Sequence, residues 1–113
     1  MHEMSVVINT VNMAEEYAKK NGASKIIKIV LQIGEFNSVV PDYIRYFFPD
    51  VTEGTMLEGA QLEIEEIPGI AKCRNCGEEY PWRKSDYRCP KCGSEECGLL
   101  SGREFVIKEI AVI

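Results

Sequence analysis

Two short hooks, Cys73-Arg74-Asn75-Cys76-Gly77 and Cys89-Pro90-Lys91-Cys92-Gly93, constrain this chain more than any other feature of it. Each is a Cys-x-x-Cys turn that aims two thiolates at one point, and twelve residues separate them. A glycine after the second cysteine is free to take positive φ, which turns backbone N-H groups toward sulfur. Two such hooks form a tetrahedral four-sulfur shell, the geometry that selects zinc, with iron as the weaker candidate. Structural zinc contributes roughly 10 to 16 kcal/mol of apparent folding free energy in small peptides. That explains how residues 70 to 98, rich in Cys, Gly and charge and poor in aliphatics, become ordered. A shell of four thiolates also leaves no position for water, so hydrolysis at the ion is not expected and the chain is read as no enzyme.

The rest of the chain reads as an α+β core. Met4, Val7, Ile8, Val11, Ala14 and Ala18 recur at helical spacing, and Asn21-Gly22 after Lys19-Lys20 is a helix stop. Lys25 to Gly34 is a central strand in which Ile27, Ile29, Leu31 and Ile33 alternate along one face. A second helix opens at Pro41 and runs through Phe48, where Pro49 is expected to break or restart it. Ala60 to Ile67 alternates as a half-exposed strand closed by Pro68-Gly69, and the strand pattern returns from Glu104 to Ile113. The expected fold is therefore two helices on a small three-stranded sheet, with a four-cysteine zinc ribbon inserted. Residues 1-69 and 99-113 make the α+β domain, and residues 70-98 make the zinc-binding domain.

The formal net charge of -5 argues against nucleic acid as a partner, because phosphate neutralisation needs an excess of Lys and Arg. The basic residues around the hooks, Lys72, Arg74, Arg83, Lys84, Arg88 and Lys91, are read as compensation for the charge of the sulfur cluster. An interaction module of a nucleic-acid or transcription complex is the alternative that they leave open. Tyr80, Trp82 and Tyr87 are expected to fill a miniature core beneath the metal. Cys97 is left over, either as a spare thiol or as an exchanging ligand. No stretch is apolar enough to cross a bilayer and no export signal opens the chain, so a cytoplasmic protein is expected. The edges of a small sheet leave room for a homodimer.

His2 is the only histidine. With the terminal amine of Met1 and neighbouring amide nitrogens it can chelate nickel(II) or copper(II) in a square plane. A frayed or helix-capping histidine is the plainer reading of the position alone, as a favourable first-turn charge is for Glu3.

The whole set of motifs resembles the HypA/HybF nickel metallochaperones. The resemblance is carried by Met1-His2-Glu3-Met4-Ser5, Ile33-Gly34-Glu35, Gly54-Thr55, Gly59-Ala60 with Leu62-Glu63-Ile64, both cysteine hooks and Gly102-Arg103-Glu104, in order along the chain. It implies nickel(II) as cargo held by His2, the Met1 amine and the Glu3 amide, and structural zinc on Cys73, Cys76, Cys89 and Cys92. It further implies delivery to the large subunit of nickel-iron hydrogenase with a GTP-hydrolysing partner, HypB, and in some bacteria service to urease as well. The resemblance assigns no role to Cys97.

Overall fold

The computed structural model describes residues 2-113, the side chain of residue 2 excepted. Two helices and six strands follow one another as α1 (His2–Lys20), β1 (Ile26–Gly34), α2 (Pro41–Thr52), β2 (Gln61–Ile67), β3 (Ile70–Cys73), β4 (Glu79–Pro81), β5 (Cys97–Leu99) and β6 (Phe105–Val112). The chain divides into two compact units. One takes the chain up to Gln32 with Ser38–Glu65 and Val106–Ile113, and the other takes Ile33–Asn37 with Glu66–Phe105.

In the first unit, Val7, Val11, Ala14 and Ala18 form the buried stripe of α1, while Met4 and Ile8 stay exposed. The helix ends where its sequence says it should. Ala23 N-H donates to Ala18 O, Gly22 N-H donates to Lys19 O, and Gly22 sits at a φ of 72°. This double closure satisfies the last carbonyls, and it needs the left-handed residue that glycine tolerates. Helix α1 packs on α2. The buried residues Ile44 and Phe48 of α2 and Ile29, Val30 and Leu31 of β1 complete the core.

Strand order is β2-β1-β6. Ile113 and Lys25 exchange hydrogen bonds at one end, and Gly34 N-H donates to Glu104 O at the other, so β6 runs antiparallel to β1. Ile26 N-H donates to Met56 O and Glu35 N-H to Ile67 O, so β2 advances alongside β1 in the same direction. Parallel neighbours need a crossover, and α2 provides it. The α+β fold with three core strands is the one expected. The β1 alternation is less strict than read, since Ile27 is exposed while both Ile26 and Val30 are buried.

The helix break expected at Pro49 does not occur. Helix α2 continues to Thr52 with Pro49 inside it. The proline removes one N-H, but Phe48 and Thr52 are both buried, and ending the helix at Pro49 would sacrifice that packing. The Thr52 hydroxyl donates to Phe48 O at 2.8 Å, and the Thr55 hydroxyl donates to Thr52 O at 2.7 Å. Thr52 O also accepts the Thr55 backbone N-H at 3.0 Å, so backbone and side chain together close the last turn.

The second unit holds a sheet that the sequence pattern concealed. Its order is β4-β3-β5, with both pairings antiparallel. Ala71, Cys73, Tyr80 and Cys89 form its core, and Trp82, Cys97 and Leu99 pack against them. In the same unit the segment after β1 threads between two glycines. A Cβ on Gly69 would strike the Phe36 ring, and a Cβ on Gly102, whose φ is 116°, would come within 2.7 Å of Gly69 Cα. Glu35 ties this crossing down: its Oε1 accepts the Gly69 N-H at 2.7 Å and its Oε2 lies 3.4 Å from Arg83.

Candidate metal centre

The two hooks adopt the same backbone. Cys73 N-H donates to Glu78 O and Gly77 N-H to Cys73 O; Cys89 N-H donates to Ser94 O and Gly93 N-H to Cys89 O. Gly77 and Gly93 both take positive φ, 82° and 78°. The tight return turns amides toward sulfur, as expected from the glycines. Cys76 N-H donates to Cys73 Sγ at 3.5 Å and Lys91 N-H donates to Cys89 Sγ at 3.4 Å.

The four Sγ atoms lie within 4.8 Å of one another. Close pairs take one sulfur from each hook: Cys73 with Cys92 at 3.6 Å, and Cys76 with Cys89 at 3.5 Å. A zinc ion with tetrahedral Zn-S bonds of 2.3 Å sets its sulfurs about 3.8 Å apart. The cluster matches that spacing, so the donor set fits zinc in both softness and size. Cys73 and Cys89 are buried while Cys76 and Cys92 are exposed.

Protonation follows from crowding. Cys92 is drawn down to about 6 by the Asn75 side chain, which donates to its sulfur at 3.5 Å, and by the Ser94 amide. For Cys76, the Glu78 amide favours the thiolate, but partial desolvation and the sulfurs of Cys89, Cys92 and Cys73 outweigh it and push the thiol up to about 12. One sulfur ionises readily and its neighbour resists. A dication at the centre removes that conflict, because each thiolate then faces a positive charge rather than another sulfur.

Asn75 escaped the sequence reading. It is an interior residue of the first hook whose side chain reaches the second, and only its identity within Cys-x-x-Cys hinted at a polar role. Two of the three expected filler residues are in place: Tyr80 is 2% exposed and Trp82 packs against the same core, whereas Tyr87 is exposed and meets Trp82 edge-on at 4.8 Å; Phe36 meets Trp82 at 5.3 Å. Two of the six basic residues around the hooks are engaged, Arg83 with Glu35 and Arg88 with Glu95 at 2.8 Å.

Of the amino-terminal candidates, Met1 and the side chain of His2 lie outside the described residues. The backbone of His2 opens α1. Glu3 is the acidic residue of the first turn of α1, as its position suggested, and its side chain is buried. It is 5% exposed, and its Oε2 accepts the Val40 N-H at 3.4 Å. His2 and Glu3 belong to the first unit and the four cysteines to the second.

A helix-and-sheet unit joined to a four-cysteine ribbon, its converging thiolates leaving no coordination place open, defines a small metal-handling accessory protein. The family profile described as "Hydrogenase/urease nickel incorporation, metallochaperone, hypA" matches residues 1–112. The chain belongs to that family, whose members are metallochaperones rather than enzymes. It is 46% identical to the hydrogenase maturation factor HypA of Trichormus variabilis over 99% of this chain and 96% of that protein. Identity to HypA of Geobacter metallireducens is 40%, over 99% of each chain. Among solved structures, the solution structure of the nickel metallochaperone HypA from Helicobacter pylori superposes with a TM-score of 0.69 at 28% identity, covering 98% of this chain and 97% of that one. A second solution structure, of a HypA protein, gives 0.74 at 30% identity, covering 100% and 97%. No helix among the described residues is long and apolar enough to cross a membrane.

Proposed function

We propose that the chain carries nickel(II) on its first residues and keeps a separate zinc ion in its ribbon. Met1 through its amine, His2 through its imidazole and Glu3 through its amide form the nickel site. Cys73, Cys76, Cys89 and Cys92 form the zinc site. Residues 1-69 with 99-113 are then the nickel-binding domain, and residues 70-98 are the zinc-binding domain.

The observation that carries this division of labour is the four-sulfur cluster itself. Its shell is filled by protein, so an ion held there is retained, and a transferable ion needs another seat. Nitrogen donors at a chain end suit that purpose. They favour square-planar nickel(II), and they release it as protons return to amine and amide. The cargo passes to the large subunit of nickel-iron hydrogenase with the GTPase HypB as partner, in the cytoplasm, and urease is a second recipient. A nucleic-acid role draws less support, given the net charge of -5 and the engagement of Arg83 and Arg88.

Titration calorimetry with nickel(II) tests the proposal. The chain with a free amine is expected to bind one nickel, and both His2→Ala and acetylation of the amine are expected to abolish that binding with zinc content unchanged. Stoichiometric nickel on either altered protein would overturn the assignment.

A further inference from the structure

The four-sulfur cluster leaves one sulfur over. Cys97 lies in β5, partly buried, and its Sγ is not among those that converge. Yet the register of β3 and β5 sets it directly opposite Cys73. Residues directly opposite in an antiparallel pair project from the same face. The flanking bonds define the pair further: Arg74 N-H donates to Glu96 O at 3.0 Å, and Leu100 N-H donates to Ile70 O at 2.7 Å. Hydrogen-bonded pairs recur at every second residue, so Cys73 and Cys97 occupy a non-hydrogen-bonded position between them. There, Cα atoms approach to about 4.5 Å. A disulfide spans about 4.4 to 6.8 Å between Cα atoms.

Tyr80 supplies a second, independent observation. Its ring belongs to the small core that contains Cys73 and Cys89, with Cys97 packed against it. The residue is 2% exposed, and its hydroxyl has no hydrogen-bond partner. The hydroxyl lies beside the Cys97 sulfur, and a tyrosine O-H is a donor at neutral pH. A buried donor facing a thiol is poorly satisfied, since sulfur is a weak acceptor. An oxygen placed on the Cys97 sulfur would satisfy it.

We propose that Cys97 is an oxidation site, converted by a peroxide to a sulfenic acid that Cys73 then resolves as a Cys73–Cys97 disulfide. In the first step the Cys97 sulfur attacks one oxygen of hydrogen peroxide. The S-O bond forms as the O-O bond breaks, and the departing hydroxide takes a proton to become water. In the second step the Cys73 sulfur attacks the Cys97 sulfur. The S-S bond forms, the S-O bond breaks, and the hydroxide that leaves takes a proton from solvent to become water. One coordinated thiolate, one thiol, one peroxide and one solvent proton become one disulfide and two waters. Cys97 reacts ahead of the hooks because its sulfur is uncoordinated, whereas the hook sulfurs share their lone pairs with the ion. Resolution withdraws Cys73 from the cluster, leaves three sulfurs and frees the ion. That last consequence rests on the zinc assignment proposed above.

The test begins with the metal content of the untreated chain, which examines the zinc assignment by itself. The zinc-loaded chain is then treated with stoichiometric hydrogen peroxide. Remaining thiols are alkylated, the disulfide-linked peptides are mapped by mass spectrometry, and released zinc is followed with a chromogenic chelator. The expected result is a Cys73–Cys97 linkage accumulating in step with zinc release, with release slowed severalfold in Cys97→Ser. Disulfides confined to Cys73–Cys92 or Cys76–Cys89, with Cys97 still open to alkylation, would overturn the proposal. Equal release rates in the variant would do the same. Mapping on the unmutated chain decides the matter even if Cys97→Ser folds poorly.

Discussion

The carboxylate of Glu3 accepts the backbone N-H of Val40, so the first turn of α1 closes the amino end of α2. Helix starts leave amide groups without intrahelical partners, and a side-chain oxygen normally meets one of them. Val40 cannot do so, and it makes no side-chain cap. A residue 37 positions earlier takes over that role from inside the core.

Glu3→Ala should therefore destabilise the chain by about 1 to 2 kcal/mol, the range for losing a helix-start acceptor. Glu3→Gln keeps an oxygen in place and should be milder. Urea denaturation of the two variants beside the unmutated chain checks the ordering. Equal stability of all three would show that the contact contributes nothing.

Glu65 should give the acid side of the stability curve a measurable slope. Its carboxyl lies below the ordinary value because Gln32 of β1 and Lys108 of β6 both donate to it, at 3.1 and 3.0 Å. A lowered folded-state pKa means that the unfolded chain binds the proton more readily. The stability Glu65 adds is then complete above the ordinary carboxylate pKa of about 4.3 and is lost as pH falls through the folded value. Glu65→Gln should remove that part of the decline and leave a flatter profile below pH 5. The effect is expected to be small, since the group is solvent-screened.

Removing a hook sulfur should unfold one unit and spare the other. Cys73→Ala deletes a buried core residue and one of the four converging sulfurs at once, so amide resonances of residues 70-98 should collapse toward random-coil positions. Those of α1, β1 and α2 should persist. A strong chelator should reproduce the pattern in the unmutated chain, and lowering pH should favour it, because each thiolate regains a proton as the ion leaves. Retained dispersion in residues 70-98 without metal would show that the second sheet folds on its own.

Two glycines separate backbone strain from crowding. Gly102→Ala combines a left-handed φ of 116° with a 2.7 Å approach to Gly69 Cα, so about 2 to 4 kcal/mol should be lost. Gly22→Ala faces open space at a φ of 72° and should cost about 1 kcal/mol from conformation alone. Thermal denaturation of both distinguishes the two contributions. Comparable losses would mean that the crossing at Gly102 yields easily.

Much of this was legible in advance, for identifiable reasons. The α1 stripe could be read because Val7, Val11, Ala14 and Ala18 obey one period, and the hooks because ligand spacing is set by the ion rather than by the fold. Pro49 misled because a local rule was applied where burial of Phe48 and Thr52 decides. Strands β3, β4 and β5 were hidden by their length, three or four residues each, too short for alternation to register. Glu3 and Cys97 lay beyond reading for a common reason. The role of each depends on a partner distant in sequence, Val40 in one case and Cys73 in the other, which only the folded chain brings near.

Strand β6 can join β1 only after the chain has completed the excursion of residues 66–105. While those forty residues are ordered they act as a splint, holding the departure and return points of the chain at a fixed span. Freed, they become a slack tether, and closing a tether of that length rather than a short turn costs about 2 kcal/mol more in chain entropy. An ion held by the four sulfurs would thus steady the last strand through the length of chain that leads to it.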